Sequence, residues 1–328
     1  MSWLFQVLKM NVWKLRMAML STLALIIGFS TLLVTVILSV TGTFSITSLL
    51  FFVILINLIQ WLVAPYVIES LYGVKEADPG KYRELYSILE KLSFKARMRK
   101  PKLMIAETPI PNAFAYGSPL SGPRVAVTRG LLNTLSAEEI EAVLGHELGH
   151  LKHRDVQLMM FASVLPSLFY ILSRYFLFAG YDEERRGDVV AISLISLAAY
   201  YILSLFTLYL SRLREYYADH FSVQVAPNPA EGARRLMNAL AKIVTSTSRL
   251  KSSGLKLGVM GFKELLIADP DSAEVEAAAL SSLRGVGEDV RRLLNKKITF
   301  SDRLMEMFST HPNIVNRLKA LSEYMSPG

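Results

Sequence analysis

Long runs without charged residues are the strongest pattern along this chain. Residues 17–68 contain no charged side chain, and this run of 52 residues divides around residues 41–43. Each part has about 24 residues, enough to cross a hydrocarbon core about 30 Å thick. Further uncharged runs cover residues 156–173, which continue past Arg174, and residues 189–211. The pattern predicts four transmembrane helices, with a buried core helix as the alternative for the third run.

The placement of basic residues predicts how these helices are oriented. Lys9, Lys14 and Arg16 precede the first run, whereas the turns after the first and third runs have no basic excess. Because basic residues favour the cytoplasmic side, we expect the N-terminus to be cytoplasmic. The predicted organisation is a cytoplasmic or interfacial N-terminus (1–16), a transmembrane hairpin (17–68), a polar part (69–155), a second hairpin (156–211) and a second polar part (212–328).

Composition agrees with a membrane protein. The chain has 328 residues, of which 52% are hydrophobic and 20% charged, which is too apolar for an ordinary soluble protein of this length. The net charge of +8 is spread along the polar parts, so it indicates topology and contact with anionic lipid, without a nucleic-acid signature. Cysteine is absent from the sequence, which leaves histidine and carboxylate side chains as metal ligands.

The first polar part shows helix and strand signals. Ser136 and Glu139 form a capping-box pattern before an apolar stripe, which predicts a helix from residue 137. Residues 102–107 and 124–128 are predicted strands of a small antiparallel sheet. Pro109 and Pro111 lie between them and suit an edge strand that could hold a peptide, although the spacing alone favours the alternative of an ordinary hairpin.

The second polar part is less informative after its first helix. Residues 246–253 are rich in Ser, Thr and Lys and suggest a mobile connection. Residues 256–267 and 273–283 are predicted to form short helices.

The predicted helix after Ser136 carries His146-Glu147-Leu148-Gly149-His150. A helix repeats every 3.6 residues, so His146 and His150 lie on one face and can bind the same metal ion. Glu147 lies beside that face, where it can take a proton from a water molecule held by the metal. His153 is excluded as a third ligand, because it lies two turns, about 10 Å, from His146 along the helix. The third ligand must therefore come from another segment.

Glu215-Tyr216-Tyr217-Ala218-Asp219 offers that ligand. Glu215 and Asp219 are four residues apart on one helical face, so one can bind the metal while the other orients a ligand histidine. Spacing alone does not decide which residue takes which role. His150 and Glu215 both lie a few residues from a predicted span, which places the site within about 12 Å of the membrane boundary.

The HELGH and EYYAD motifs together resemble those of the gluzincins, zinc proteases whose third ligand is a glutamate. Asn112-Ala113-Phe114-Ala115, Ser309-Thr310-His311-Pro312 and Arg317 extend the resemblance to the HtpX group of peptidase family M48, which is related to the CAAX prenyl proteases. The resemblance implies one Zn²⁺ per chain, held by His146, His150 and Glu215. It also implies the remaining roles: Asp219 accepts a hydrogen bond from His146, Asn112 and His311 polarise the scissile carbonyl and stabilise its oxyanion, residues 112–115 (Asn112, Ala113, Phe114 and Ala115) bind substrate, and Arg317 is a structural ion-pair partner.

The expected fold is therefore a mainly α membrane protein with a small antiparallel β-sheet, combining four transmembrane helices with a gluzincin-type α+β catalytic domain. The expected function is hydrolysis of peptide bonds in membrane-associated or misfolded polypeptides at the cytoplasmic face of the cell membrane, in membrane protein quality control. The expected partners are polypeptide substrates and the lipid bilayer, without nucleic acid. One alternative is a CAAX-type prenyl-peptide protease, disfavoured because that relative has more spans around a large chamber. The other is a non-enzymatic zinc-binding membrane scaffold, disfavoured by Glu147, since a structural zinc site needs no base.

Overall fold

The computed structural model describes residues 45–178, 186–253 and 299–325. It divides the chain into two units. The first comprises Met1–Trp61, Gln157–Leu210 and Met307–Ser309, and the second comprises Leu62–Val156, Ser211–Glu306 and Thr310–Gly328. The first predicted span and the helices predicted at residues 256–267 and 273–283 lie outside the described residues.

The described residues form helices and four strands, which we number along the chain. They are α1 (Ile46–Tyr72), β1 (Val74–Glu76), α2 (Arg83–Lys95), β2 (Lys102–Ala106), β3 (Ala113–Ser118), β4 (Gly122–Thr128), α3 (Arg129–Thr134), α4 (Ala137–Lys152), α5 (Asp155–Phe178), α6 (Arg186–Val225), α7 (Pro229–Ser252), α8 (Phe300–Met307) and α9 (Ile314–Ser322), with a final 3-10 turn at Glu323–Met325.

Three of the described helices are long and apolar enough to cross a membrane. They cover Phe51–Tyr72, Asp155–Phe178 and Gly187–Val225 and correspond to the second, third and fourth uncharged runs of the sequence. Helix α5 continues through Arg174, whose guanidinium lies over the rings of Tyr170 and Phe178. The fourth run was expected to end at residue 211, but α6 continues to Val225 without a break.

The sheet of the second unit is mixed, which corrects the antiparallel sheet expected from the sequence. Its strand order is β1-β2-β4-β3. Strand β3 forms an antiparallel hairpin with β4, so β4 runs parallel to β2, with Lys102 opposite Arg124. The alternative of an ordinary hairpin between residues 102–107 and 124–128 is therefore wrong. The edge strand predicted between these segments is present as β3.

Helix α4 begins at the predicted capping box. The Ser136 side chain accepts from the Glu139 backbone N–H at 3.4 Å, and the Glu139 carboxylate accepts from the Ser136 N–H at 2.9 Å. The apolar stripe Val143, Leu144 and Leu148 is fully buried in the main core of the second unit. The helix is thus held by the capping box at its N-terminus and by its buried apolar face, which gives the motif histidines a rigid support.

The prediction of a mobile connection at residues 246–253 is wrong, because α7 remains helical to Ser252. Its buried face continues through Val244 and Thr247. The hydroxyl of Thr245 donates to the carbonyl of Ala241, as Ser and Thr side chains can within a helix. Burial of one face therefore outweighs the weak helix preference of these residues.

Small residues allow α4 to approach the Ser211–Val225 part of α6. A Cβ atom on Gly149 would lie 3.0 Å from the Cα atom of Ala218, and one on Gly145 would lie 3.1 Å from Ser222 Oγ. The Ser222 hydroxyl donates to the carbonyl of Ala142 at 2.6 Å. The two motif-bearing helices consequently pack backbone to backbone at the site.

Candidate metal centre

Two histidines and one carboxylate converge between α4 and α6. The Nε2 atoms of His146 and His150 are 3.2 Å apart. Glu215 Oε2 lies 3.6 Å from His146 Nε2, and its Oε1 lies 3.4 Å from His150 Nε2. Among the described residues, these three could together hold a metal ion. One ligand atom from each lies within 4.8 Å of the others.

This geometry fits a tetrahedral zinc ion. With Zn–N distances of about 2.0–2.1 Å, two ligand nitrogens at a tetrahedral angle lie about 3.3–3.4 Å apart. The two Nε2 atoms, 3.2 Å apart, lie close to this separation, and an imidazole pair with a carboxylate is a donor set that zinc accepts. Three protein ligands leave one coordination position for water, as in catalytic zinc sites.

Each of the two histidines has an aspartate carboxylate next to its Nδ1 atom. Asp219 Oδ1 lies 2.9 Å from His146 Nδ1, and Asp155 Oδ2 lies 2.6 Å from His150 Nδ1. A carboxylate on Nδ1 fixes the ring so that Nε2 faces the other ligands. Both aspartates are buried.

Asp155 was not among the site residues predicted from the sequence. It follows a tight turn in which Arg154 adopts a positive φ of 55°. This turn ends α4 and starts α5, so the Asp155 side chain returns to His150, five residues earlier. Arg214 Nε also lies 3.2 Å from Asp155 Oδ2. A carboxylate directly after the motif helix is the only sequence signal for this contact, and it does not fix the turn.

Arg317 lies between the other two carboxylates of the centre. Its guanidinium bonds both oxygens of Asp219, at 2.9 and 2.6 Å, and its Nη1 lies 3.1 Å from Glu215 Oε2. The side chain is almost fully buried. Burial alone would raise the pKa of Asp219, but Arg317 and His146 outweigh it and hold the pKa low. The guanidinium thus keeps a buried carboxylate ionised.

Glu215 is held in its charged form by several neighbouring side chains. Burial opposes its ionisation, yet His311, His146 and Arg317 together hold the pKa of Glu215 well below the ordinary value. His311 Nδ1 lies 3.7 Å from Glu215 Oε2. Asn313 is the N-cap of α9, so His311 and Pro312 precede that helix.

Glu147 lies on the side of the cluster that faces the sheet. Its carboxylate is buried and accepts a hydrogen bond from the backbone N–H of Ala115 on β3. Burial raises the pKa of Glu147, although the nearby His150 and His146 oppose this effect. A carboxyl group with a raised pKa beside the possible metal ligands is better suited to accept and release protons than an ordinary carboxylate.

The other residues expected to bind substrate lie at the start of β3. The backbone N–H of Asn112 donates to Thr128 Oγ1 at 2.9 Å, and its carbonyl accepts from the Thr128 N–H at 3.0 Å. Ala113 belongs to the main core, whereas the Phe114 ring packs in a separate apolar cluster with Tyr72 and Tyr116. The side chain of Phe114 is therefore committed to the fold, and a peptide beside β3 would be bound through the backbone of this strand.

Comparison with known proteins decides the family. The chain matches Peptidase family M48 over residues 79–325. It belongs to this family. It is 35% identical over 272 residues to a Protease HtpX homolog from Thermoplasma volcanium, covering 83% of this chain and 80% of that protein. A Protease HtpX homolog from Aeropyrum pernix is 36% identical over 276 residues, covering 82% of this chain and 83% of that protein.

A solved structure supports the fold. The crystal structure of Ste24p from S. mikatae resembles this chain with a TM-score of 0.54 at 19% identity, over 94% of this chain and 66% of Ste24p. At this identity the similarity concerns the fold alone: a mostly helical protein with a small mixed sheet and candidate membrane helices.

Family membership confirms the resemblance inferred from the sequence motifs. The chain is a metalloprotease related to the HtpX proteases, and its apolar helices are those of a membrane protein. The family implies a metal, typically zinc, and His146, His150 and Glu215 form a possible site for it.

Proposed function

We propose that this chain is a membrane-anchored zinc endopeptidase that hydrolyses membrane-associated or misfolded polypeptides at the cytoplasmic face of the membrane, in membrane protein quality control. The observation that carries this proposal is the convergence of His146, His150 and Glu215 beside the buried carboxylate of Glu147. Four transmembrane helices and a gluzincin-type catalytic domain made of both polar parts complete the proposal.

In this proposal His146 and His150 bind the zinc through Nε2, and Glu215 binds it through its carboxylate. Bound zinc supplies Lewis acidity, which activates water and polarises a carbonyl group. The Glu147 carboxylate takes a proton from the attacking water and delivers it to the nitrogen of the leaving amine. The raised pKa of Glu147 suits both halves of this transfer.

The surrounding residues hold this arrangement and bind substrate. Asp219 and Asp155 orient the histidine rings, and Arg317 neutralises Asp219 and Glu215. Strand β3 is an edge strand, so its unpaired side can bind an extended peptide by strand addition, with residues 112–115 nearest the site. Asn112 and His311 donate to the carbonyl oxygen as negative charge develops on it.

The experiment that tests this function compares zinc content with proteolysis. Glu147→Gln should retain stoichiometric zinc and lose nearly all cleavage of casein, because the base is removed while the ligands stay. Glu215→Ala should lose tight zinc binding as well. If Glu147→Gln cleaved casein at the wild-type rate, the role of Glu147 as the base would be refuted. Full zinc content in Glu215→Ala would point to a different third ligand.

The proposed topology can be tested separately, because the absence of cysteine gives no background to thiol labelling. Ser252 and Gly187 are both exposed. A cysteine at Ser252 should be shielded from an impermeant thiol reagent in intact cells, whereas a cysteine at Gly187 should be labelled. The opposite pattern would place the proposed active site outside the cell.

A further inference from the structure

The turn between β3 and β4 runs along one of the apolar helices. The hydroxyl of Tyr116 donates to Glu69 of α1 at 2.9 Å, and two residues later the hydroxyl of Ser118 donates to the carbonyl of Leu62 at 3.2 Å. Two residue steps along the strand span about 7 Å, and the seven residue steps from Glu69 to Leu62 along the helix span about 10 Å. The hairpin therefore points back along α1, away from its C-terminal end.

Glu69 marks where the apolar surface of α1 ends. It is the only charged residue in this helix, and it pairs with Arg124, whose guanidinium also lies over the ring of Tyr66. Residues 46–68 are uncharged and span about 34 Å, little more than a hydrocarbon core of about 30 Å. If α1 crosses the bilayer, the boundary must lie near residue 68, and Leu62 lies about 9 Å inside it.

The tip of the hairpin has the composition of a lipid-contacting loop. Residues 117–123 read Gly-Ser-Pro-Leu-Ser-Gly-Pro and carry no charge. Leu120 is 67% exposed, and Pro119 and Pro123 are also exposed. One exposed leucine is ordinary on a soluble protein. Here, however, the leucine follows Ser118, which is bonded to the uncharged part of a candidate membrane helix.

The same strand leads to the metal centre. Ala115 donates its backbone N–H to Glu147, and Ser118 is bonded beside Leu62. These two positions on β3 are three residues apart, about 10 Å in an extended strand. An edge strand thus connects the proposed base with the level of the lipid.

We propose that the β3–β4 turn contacts the bilayer through Pro119 and Leu120, and that β3 aligns polypeptide segments leaving the lipid surface with the metal centre. The occupant of this surface is the bilayer, because the tip lies against α1, itself a candidate span. The substrate class is a chain tethered to the membrane, with its scissile bond about three to four extended residues from the surface. This second statement rests on the proposed function, whereas the lipid contact does not.

Lipid contact can be measured without proteolysis. The full chain carrying Leu120→Cys, labelled with a nitrobenzoxadiazole probe, is reconstituted into phosphatidylcholine–phosphatidylglycerol vesicles with or without acyl-chain bromine. The expected result is blue-shifted emission that brominated lipid quenches. Phe94→Cys is the matched control, since Phe94 is 85% exposed on α2 of the same unit. Unquenched emission at residue 120, or equal quenching at both sites, would overturn the contact.

The substrate class is tested by cleavage of one sequence in two forms, a soluble peptide and the same segment placed four residues after a transmembrane helix. Leu120→Asp should lower the ratio of tethered to soluble cleavage about tenfold, the factor expected when one leucine loses its apolar contact. Leu120→Trp and Phe94→Asp should keep the wild-type ratio. An unchanged ratio in Leu120→Asp would refute the inference. If the zinc-loaded wild-type protein cleaved neither the tethered nor the soluble form, the proposed function would be refuted instead.

Discussion

Asp155 allows a sharp test of how the metal centre is built, because the sequence motifs did not identify it. Its carboxylate lies 2.6 Å from His150 Nδ1 and 3.2 Å from Arg214 Nε, and its side chain is 3% exposed. We predict that Asp155→Ala weakens zinc binding about 100-fold and Asp155→Asn about 10-fold. Both values lie in the range found when the partner of a ligand histidine is removed.

The difference between the two variants follows from hydrogen bonding. Asparagine retains an oxygen that can accept from the His150 Nδ1–H, so only the charge of the acceptor is lost. Alanine removes the acceptor, and the ring is free to rotate or change tautomer. A 10- to 100-fold loss corresponds to about 1.4–2.7 kcal/mol, comparable with one hydrogen bond to a charged group.

The assay is a zinc titration of the purified full chain in competition with a chromophoric chelator at neutral pH. Glu107→Ala is the matched control, since it removes a carboxylate paired with Arg129 on the exposed surface and should leave zinc affinity unchanged. Thermal unfolding of each metal-free variant shows whether the fold is retained. A folded Asp155→Ala variant with a zinc dissociation constant within about twofold of wild type would refute the reasoning.

Two further predictions concern the charges around the ligands. Arg317→Met should lower the melting temperature of the metal-free protein by about 10 °C, because breaking a buried ion pair costs about 3–5 kcal/mol. Added zinc should restore part of this loss. An unchanged melting temperature of the metal-free variant would contradict the prediction. In the metal-free protein burial lowers the pKa of His146, but hydrogen bonds to Asp219 and Glu215 outweigh it and raise the pKa to about 10. His146 therefore stabilises the metal-free fold fully below its ordinary pKa of 6.5, and this contribution is lost as pH rises through about 10. Between pH 7 and 9 zinc must displace this proton. Calorimetry in buffers of different ionisation enthalpy should therefore detect release of about one proton per zinc from His146. No proton release would contradict the prediction.

The sequence by itself determined the features that depend on local periodicity and summed hydropathy. The spacing of His146 and His150 places them on one helical face wherever that helix lies, and Ser136 with Glu139 fixes where the helix starts. Uncharged runs of about 20 residues predict candidate spans because transfer into lipid depends on composition more than on neighbours. Three of the four predicted runs appear as long apolar helices among the described residues.

The tertiary structure decided everything that depends on contacts between distant segments. Strand β4 runs parallel to β2 because β3 takes the edge, an outcome that alternating apolar residues cannot distinguish from an antiparallel hairpin. Residues 246–252 remain helical as the end of α7, whose buried face continues through Val244 and Thr247, despite weak local propensity. Asp155 reaches His150 only through a turn with a positive φ at Arg154. The bidentate contact of Arg317 with Asp219 joins residues 98 positions apart, and no local pattern specifies such a pairing, since its energy comes from burial and charge in three dimensions.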